Sequence, residues 1–251
     1  MIKYLGLPID ASADGHGIDI LMLYVHLLMG VLFVGWLAYF LYAIWRFRQK
    51  RNPKADYHGV TNHFSTYAEI IVAAVEAVLL IGFSIPIWGH AVDEFPKEKD
   101  ATVIKVIGQQ FAWNARYPGA DQVFGSNNVR FVANTNQFGL DYSDAHAKDD
   151  FSVLGEIEVP VNKPVIAQIS SMDVIHCFAI KPMRVTQDAI PGMMIPAWFT
   201  PVREGTYLIN CAQLCGNGHS SMHGYLKVVS QAEYDKWLAS KSGGQKPASF
   251  E

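Results

Sequence analysis

The stretch ILMLYVHLLMGVLFVGWLAYFLYAIW, residues Ile20–Trp45, contains no Asp, Glu, Lys or Arg. A helix crosses the hydrocarbon core of a bilayer with about 20 apolar residues, so this stretch predicts a membrane-spanning helix at about residues 20–46. A second apolar run, Ile70–Val92, carries Glu76 as its one formally charged residue and predicts a second span at about residues 69–92. We therefore expect residues 1–92 to form a transmembrane hairpin.

A cleaved signal peptide is the alternative interpretation of the first run. The residues before the run carry Asp10, Asp14 and Asp19 and a single lysine. A signal peptide instead begins with a basic region that leads directly into a short apolar core. An uncleaved span is therefore the preferred interpretation.

The segment between the two runs is rich in basic residues, and basic loops stay on the cytoplasmic side of a membrane. Both chain termini and everything after Asp93 would then lie outside, so we expect a multi-pass protein of a bacterial-type inner membrane, facing the periplasm. The formal net charge of −3 favours no particular partner beyond the lipid bilayer, and we expect no nucleic-acid partner. The basic residues of the segment are Arg46, Arg48, Lys50, Arg51 and Lys54.

Residues 93–230 differ in composition from the apolar runs, since short stretches rich in β-branched residues alternate with turn residues. This pattern is typical of an antiparallel sandwich or a small Greek-key barrel. Residues 119–150, rich in Asn, Asp and Gly, predict a long surface excursion, and residues 231–251 a short helix through Trp237 with a polar tail. The predicted strands are Val103–Gly108, Glu156–Val161, Val165–Ser170, Gly205–Asn210 and Gly224–Val229.

Soft metal donors are concentrated in Cys211-Ala-Gln-Leu-Cys215-Gly-Asn-Gly-His219-Ser-Ser-Met222. Thiolate, imidazole and thioether together suit copper, whereas structural zinc prefers four Cys or His ligands. In an oxidising compartment the alternative is a Cys211–Cys215 disulfide with Cys177 left over. The chain contains no C-x-x-C-H motif, which excludes a covalently attached c-type haem.

The second cysteine of this loop needs an explanation, because a mononuclear blue-copper site uses one Cys and two His with a weak axial Met. Two thiolates from one loop can instead bridge two copper ions, each capped by a histidine. His219 is the local histidine. The best candidate for the other is His176, which lies in Asp173-Val-Ile-His176 just after the predicted strand Val165–Ser170.

Three motifs, in this order, resemble subunit II of the haem-copper cytochrome c oxidases. Asp173-Val-Ile-His176 is similar to the family's Asp-Val-x-His, and Asp188-Ala-Ile-Pro-Gly192 to its Asp-Ala-Ile-Pro-Gly stretch. Cys211–Met222 is similar to its copper loop, Cys-x-Glu-x-Cys-x-x-x-His-x-x-Met. The resemblance covers nearly the whole chain. It implies a two-helix transmembrane hairpin followed by an all-β cupredoxin-like Greek-key barrel that holds the binuclear copper centre CuA.

The resemblance also implies the function. Such a subunit accepts electrons from a c-type cytochrome and passes them to haem in subunit I. Oxygen is reduced in subunit I, and this reduction is coupled to proton translocation. The implied partners are therefore subunit I, other oxidase subunits and the donor cytochrome. The implied copper ligands are Cys211 and Cys215 as bridging thiolates, His176 and His219 as terminal imidazoles, and Met222 and the backbone carbonyl of Gln213 as weak axial ligands.

Two departures from the family pattern change these expectations. Gln213 stands where the family has Glu, whose side chain helps to bind magnesium at the contact with subunit I. A neutral amide is a poorer ligand for a hard cation, so we expect no ordinary magnesium site. Gly108-Gln-Gln-Phe-Ala-Trp113 resembles the family's Gln-Trp-x-Trp, but Phe111 replaces the Trp that first receives the electron, and Trp113 remains. Either Phe111 is a simple core substitution or the docking of the donor differs.

Glu69 and Glu76 are carboxylates of the second span. Ser65-Thr-Tyr-Ala-Glu69-Ile is similar to the family's Pro-Leu-Glu-Ile, whose Glu serves proton uptake into subunit I. Glu76 is seven residues further on, so both carboxylates share one helix face, roughly 10 Å apart along the axis. Ionisable groups within a span face protein or water rather than lipid. Glu76 is therefore either a hydrogen-bonded packing residue or a second proton-relay position.

Two other functions compete with the oxidase subunit. A quinol-oxidase-type subunit II would lack the copper ligands, which are intact here. A membrane-tethered copper-binding or copper-delivery protein needs neither Glu69 nor the Asp188–Gly192 stretch. Four acidic residues of the excursion, Asp141, Asp144, Asp149 and Asp150, are candidates for docking a basic cytochrome, with a solvated loop as the alternative.

Overall fold

The computed structural model describes residues 6–54, 57–59 and 61–242. These residues form two compact units. The helical unit takes in Gly17–Asp93, and the β unit combines Pro8–His16 with the chain from Glu94 onward. The predicted polar tail beyond residue 242 lies outside the described residues.

Two apolar helices make up most of the helical unit, as predicted. Helix α1 spans Gly15–Phe47. The second helix consists of α2, Phe64–Leu79, a π-helical turn at Leu80–Ser84, and α3, Ile85–Asp93. The two continuous helices are 33 and 30 residues long, and both are long and apolar enough to cross a membrane.

The β unit contains ten strands among the described residues, and the five predicted strands are confirmed. The strand that begins at His176 was missed because every one of its residues is buried, and a short, fully buried strand has no period-2 pattern to recognise. The strands are β1 Thr102–Gln109, β2 Ala112–Tyr117, β3 Phe151–Leu154, β4 Glu156–Pro160, β5 Val165–Ser171, β6 His176–Ile180, β7 Val185–Ala189, β8 Ile195–Phe199, β9 Gly205–Cys211 and β10 His223–Val229.

These strands form two five-stranded sheets with the orders β3-β2-β1-β5-β8 and β4-β10-β9-β6-β7. The expectation of an antiparallel sandwich was wrong in one respect, because β1 pairs with β5 and β4 with β10 in parallel. The two strands of each parallel pair are distant in sequence, and the chain runs through both of them in the same direction. The all-β cupredoxin-like class is confirmed.

The core lies between the two sheets. Burial alternates along β1, as expected for a strand with one face on the core. The opposite face of β1 is also covered: Ile107 packs against a small cluster of Phe138, Leu140 and Ala147. These three residues belong to the excursion, residues 119–150, which therefore covers part of a sheet face rather than being only a surface loop.

The excursion is attached to the sheet by a buried ion pair between Arg116 of β2 and Asp150, whose side chains are both fully buried. Arg116 Nε donates to Asp150 Oδ2 at 3.1 Å, and the backbone N–H of Gly125 donates to the same oxygen at 2.9 Å. Asp150 is therefore inaccessible to a partner, and the docking hypothesis is wrong for this residue.

The other three acidic residues predicted as docking candidates also bond within the excursion. Asp144 accepts hydrogen bonds from the backbone of Ser126 at 2.7 Å, and Asp149 from the backbone of Ala120 at 2.7 Å. Asp141 accepts from the backbone of Ser143 at 3.0 Å. Their carboxylates therefore stabilise the loop.

The last described element is α4, Gln231–Lys241, which extends beyond the predicted end at Trp237. Ser230 and Glu233 form a capping box at its start, which satisfies backbone N–H groups that a helix otherwise leaves without partners. The Trp237 ring packs edge-on against Tyr117 and Phe151, with centroids 4.9 and 5.4 Å away. The helix is thereby fastened to the β unit.

Candidate metal centre

The predicted ligands meet at one end of the sheet that contains β10, β9 and β6. Cys211 is the last residue of β9, and the 211–222 loop leads from it into β10. Neighbouring β6 starts at His176, and its Phe178 is paired with Cys211. Because the three strands are neighbours in the sheet, Cys211 and His176 lie close together although they are 35 residues apart in sequence.

The two cysteine sulfurs lie 3.7 Å apart. A disulfide has an S–S distance of about 2.05 Å, and all three cysteines are free, so the disulfide alternative does not describe this structure. His176 Nδ1 lies 3.9 Å from Cys211 Sγ, and His219 Nδ1 lies 3.5 Å from Cys215 Sγ. Each thiol therefore has its own imidazole.

Two weaker donors complete the group. Met222 Sδ lies 3.7 Å from Cys215 Sγ, and the backbone carbonyl of Gln213 lies 3.1 Å from Cys211 Sγ. Cys211, Cys215 and Met222 are buried. All six predicted donors thus lie around the pair of sulfurs, and the ligand atoms of His176, Cys211 and Cys215 lie within 4.8 Å of one another, close enough to hold a metal ion.

Asp173 determines which nitrogen of His176 is free. His176 Nε2 donates to Asp173 Oδ1 at 2.8 Å, so Nδ1 keeps its lone pair and faces the cysteines. A carboxylate that orients a histidine in this way is a common partner of metal ligands. No role was predicted for Asp173, although it belongs to the motif. Its position three residues before His176 could have indicated that it orients the histidine.

The carboxyl of Asp173 is held in its charged form. Partial burial alone would raise its pKa, but hydrogen bonds from His176, Gln110 and Val174 outweigh that effect and the pKa is lowered. A charged carboxylate is the acceptor that the His176 N–H needs.

His223 follows Met222 directly and is the other histidine next to the 211–222 loop. It is exposed at the start of β10, and its ring contacts Tyr225 with centroids 5.7 Å apart. None of the described contacts connects it with the cysteines, whereas His219 lies beside Cys215.

Burial changes the chemistry of the thiols. It raises the pKa of Cys215 to about 11, with a further contribution from the hydrogen bond with Cys211. Metal binding requires thiolates and therefore releases protons from such a site. Burial, together with a hydrogen bond to Asp188, raises the pKa of Cys177 to about 12. Cys177 is only 5% exposed and is not one of the grouped donors.

The two aromatic residues predicted to receive the electron lie at different depths. Trp113 is fully buried, and its ring meets the His176 ring edge-on with centroids 6.0 Å apart. A side chain at Gly108 would come within 3.0 Å of both rings, so this glycine is needed for the contact. Phe111 is 37% exposed and lies over Gly218 of the 211–222 loop.

Glu69 and Glu76 lie in α2 and are not part of the metal group. Both are exposed within the described residues. Glu76 lines a groove between α1 and the second helix, otherwise formed mainly by apolar residues such as Val25, Leu28 and Leu79. Ser84 of the π-helical turn also lines the groove.

The comparisons with known proteins agree with this architecture. The family model for cytochrome c oxidase subunit II, periplasmic domain, matches residues 102–229. The "Alternative cytochrome c oxidase subunit 2" of Bradyrhizobium diazoefficiens is 31% identical over 83% of this chain and 74% of its own length. The "Cytochrome c oxidase subunit 2" of Cereibacter sphaeroides is 35% identical over 81% of this chain and 69% of its own length.

A solved structure is also similar. It is the periplasmic domain of subunit II of cytochrome oxidase (CoxB) of Bradyrhizobium japonicum, with a TM-score of 0.44 and 27% identity, covering 58% of this chain and 95% of that chain.

Two apolar helices, a cupredoxin-like β unit and a grouped set of thiols and imidazoles define a membrane-anchored protein that could hold a metal ion. The family match covers the β unit from β1 to β10, and the relatives extend the similarity over most of the chain. The chain belongs to the cytochrome c oxidase subunit II family. It is accordingly a subunit of an oxidoreductase complex and associates with other oxidase subunits.

Proposed function

We propose that this chain is the subunit of a haem-copper oxidase that receives electrons from a c-type cytochrome and passes them to haem in subunit I. The observation that carries the proposal is the grouping of two thiols, two imidazoles and a thioether from two separate segments around sulfurs 3.7 Å apart. Two copper ions held by such a group supply one-electron transfer. The donor set fits copper, whose soft and borderline preferences match thiolate, thioether and imidazole.

The residues of this chain would hold the metal as follows. Cys211 and Cys215 lie between the two histidines and are suited to bridge two ions. His176 and His219 each point Nδ1 at one sulfur, at 3.9 and 3.5 Å. Met222 and the Gln213 carbonyl are weaker donors, each beside one sulfur.

Phe111 and Trp113 connect the surface with the metal group in this proposal. Phe111 is the exposed aromatic against the 211–222 loop, and Trp113 contacts His176 from the interior. A donor docked over Phe111 would lie next to the loop that carries Cys215 and His219. Docking would then be mainly apolar here, since Leu214 of the same loop is 78% exposed.

The proposal also includes the remaining predicted roles. We assign Glu69, and with it Glu76, to proton uptake into subunit I, because a carboxylate in a membrane span is costly unless it faces protein or water. Gln213 presents an amide where magnesium would need a hard oxygen anion, so no ordinary magnesium site is proposed. We further propose domain limits of 1–92, 93–230 and 231–251, with the two spans crossing an inner membrane and the β unit on the periplasmic side.

Neither rival function accounts for all the residues. A copper-delivery protein has no use for Glu69 or Glu76 in a span, and a quinol-oxidase-type subunit needs no grouped Cys and His. Co-purification separates the first rival from the proposal: the oxidase subunit must bring a large haem-bearing polypeptide with it, and a delivery protein must not.

The direct test is copper content together with an EPR spectrum of the full chain in detergent. We expect two copper ions per chain and a hyperfine pattern from one unpaired electron shared by two copper nuclei. Cys211→Ser and Cys215→Ser should each abolish this pattern. A single-nucleus signal in the wild-type protein would contradict the binuclear site.

A histidine pair provides the matched control. His219→Asn should change the spectrum and the amount of bound copper, because His219 Nδ1 lies beside Cys215. His223→Asn, four residues further along the chain, should leave both unchanged. Equal effects of the two substitutions would show that His219 is not a ligand.

A further inference from the structure

Gln110 lies in the turn between β1 and β2 and is bonded to both segments that carry the metal donors. Its side-chain Nε2 donates to the backbone carbonyl of Cys215 at 2.6 Å. Its backbone N–H donates to Asp173 Oδ2 at 2.7 Å. The first bond joins residues that are 105 positions apart in sequence, and the second joins residues that are 63 positions apart.

Each bond ends on a group that positions a donor. Cys215 carries its carbonyl and its sulfur on the same residue, so a bond to the carbonyl fixes the backbone from which Sγ projects. Asp173 accepts from His176 Nε2 with its other oxygen, at 2.8 Å, so the bond from Gln110 also fixes the carboxylate that orients His176. One residue thus restrains a thiol and an imidazole together.

The 211–222 loop is shaped to receive this turn. A side chain at Gly216 would come within 2.7 Å of Gln110 Nε2, and one at Gly218 within 2.4 Å of the Phe111 ring. Both positions are glycine, which lets the Gln110–Phe111 pair lie directly on the loop. The glycines of Cys215-Gly-Asn-Gly-His219 therefore have a packing reason beyond the turn itself.

We propose that Gln110 is a positioning residue of the metal centre, which holds the 211–222 loop and the Asp173–His176 segment at a fixed spacing through its two hydrogen bonds. This inference rests on the proposed copper site. When residues that hydrogen-bond to metal ligands and orient them are replaced, metal affinity typically changes by about 10–100-fold.

Gln109 provides a matched control. It is the neighbouring residue with the same side chain, but its Oε1 accepts from Asn114 Nδ2 at 3.0 Å within the β1–β2 pair. Gln109→Ala therefore removes the same atoms from the same region without touching the 211–222 loop.

The first experiment compares Gln110→Ala, Gln110→Glu and Gln109→Ala in the full, copper-loaded chain, with chelator-driven copper loss, EPR hyperfine couplings and reduction potential as readouts. We expect copper loss about 10-fold faster or more in both Gln110 variants, with altered hyperfine couplings and a shifted potential. Gln109→Ala should stay within about twofold of the wild-type protein.

Gln110→Glu is decisive, because it keeps the volume of the side chain but replaces the amide donor by a carboxylate acceptor that faces the Cys215 carbonyl. Recovery of wild-type values by Gln110→Glu would overturn the hydrogen-bond role.

The second experiment needs no copper. In the reduced, metal-free chain, alkylation of Cys215 at one pH should be about 10-fold faster in Gln110→Ala and Gln110→Glu than in Gln109→Ala, since a released loop exposes the thiol. Cys177 in the same samples reports general unfolding and should react at one rate in all of them. If the wild-type protein shows no two-copper signal but Cys215 follows this order, the proposed function fails and the positioning role of Gln110 stands. Equal Cys215 rates in all variants would overturn the inference even where the copper site is intact.

Discussion

Tyr117 shows how a single buried polar group stabilises this β unit. Its hydroxyl donates to the backbone carbonyl of Glu158 and accepts from the backbone N–H of the same residue, both at 2.9 Å. The ring is fully buried and stacks on Phe151, with centroids 5.1 Å apart. One side chain therefore satisfies two backbone groups of β4 and also fills the core.

Tyr117→Phe should lower the free energy of unfolding at pH 7 by about 1–3 kcal/mol, because two buried backbone groups lose their partner. Burial raises the pKa of Tyr117 well above its usual value of 10. A raised pKa in the folded state means that stability is complete below about pH 10 and falls as the pH rises further. The variant should therefore lose less stability between pH 8 and pH 11 than the wild-type protein, as measured by denaturant unfolding.

Tyr225→Phe is the control for this substitution, since Tyr225 is 42% exposed. Surface substitutions usually stay within about 0.5 kcal/mol, so its unfolding midpoint at pH 7 should match that of the wild-type protein. An equal alkaline loss of stability in the wild-type and Tyr117→Phe proteins would contradict the prediction.

At the scale of elements, the excursion at residues 119–150 depends on a few attachments to the sheet. Ile107 contacts its small apolar cluster, and Arg116 reaches Asp150 and the carbonyl of Gly125. The Phe124 ring lies between two cations, with Lys105 Nζ 4.5 Å and Arg116 Cζ 5.3 Å from its centroid. Among these attachments, the ion pair between Arg116 and Asp150 is the buried one with charge on both sides.

Asp150→Ala should destabilise the β unit by about 3–5 kcal/mol, because it leaves the Arg116 charge buried without its partner. Replacing both residues, as Arg116→Met with Asp150→Leu, should recover much of that loss. Thermal unfolding of the full chain measures the stability, and limited proteolysis locates the first cleavage, which we expect within residues 119–150.

Asp121→Ala is the matched surface change, because Asp121 pairs with exposed His146 at 2.7 Å. Exposed pairs contribute little to stability. A drop in stability as large as that of Asp150→Ala, or a first cleavage outside the excursion, would show that the buried pair is not the main attachment.

At the scale of the whole molecule, the chain combines a β unit that could hold a metal ion with a helical unit that carries two carboxylates in α2. Glu69 and Glu76 occur in α2 and are absent from the metal group. Glu76 lines an apolar groove on the helical unit. The proposed function assigns electron transfer to the β unit and proton uptake to the helical unit of the same chain.

Glu69→Gln and Glu76→Gln should both leave the copper EPR signal of the assembled oxidase unchanged. If both are relay positions, turnover and proton uptake should fall by roughly 10-fold or more, since an amide cannot release a proton at neutral pH. Gln is close to Glu in size, so packing is preserved. Stopped-flow measurement of proton uptake in reconstituted vesicles is the readout.

Ser84 lines the same groove, so Ser84→Ala controls for a general disturbance of the helical unit and should leave proton uptake unchanged. Normal turnover and uptake in Glu76→Gln would mean that Glu76 is a hydrogen-bonded packing residue, and the same result for Glu69→Gln would remove that residue from the proton path.

The sequence alone determined the features that are contained within single segments. The two apolar runs predicted both helices, because membrane-spanning length is a local property of composition. The spacing in Cys211–Met222 identified four donors, two thiols, an imidazole and a thioether, that the structure groups together, because one short loop confines them. Alternating residues predicted five strands, but β6 lacked any alternation and was missed. His176 was identified by its position just after a predicted strand and then by the resemblance of its segment to the family's Asp-Val-x-His.

The tertiary structure alone decided what depends on distant parts of the chain. Parallel pairing of β1 with β5 places the β1–β2 turn beside Asp173, so Gln110 can reach both Asp173 and Cys215. The excursion became a cover for β1 only because Arg116 and Asp150, 34 residues apart, meet in the folded chain. No local pattern encodes such contacts, since they result from the packing of sheets and from the free energy of burying paired polar groups.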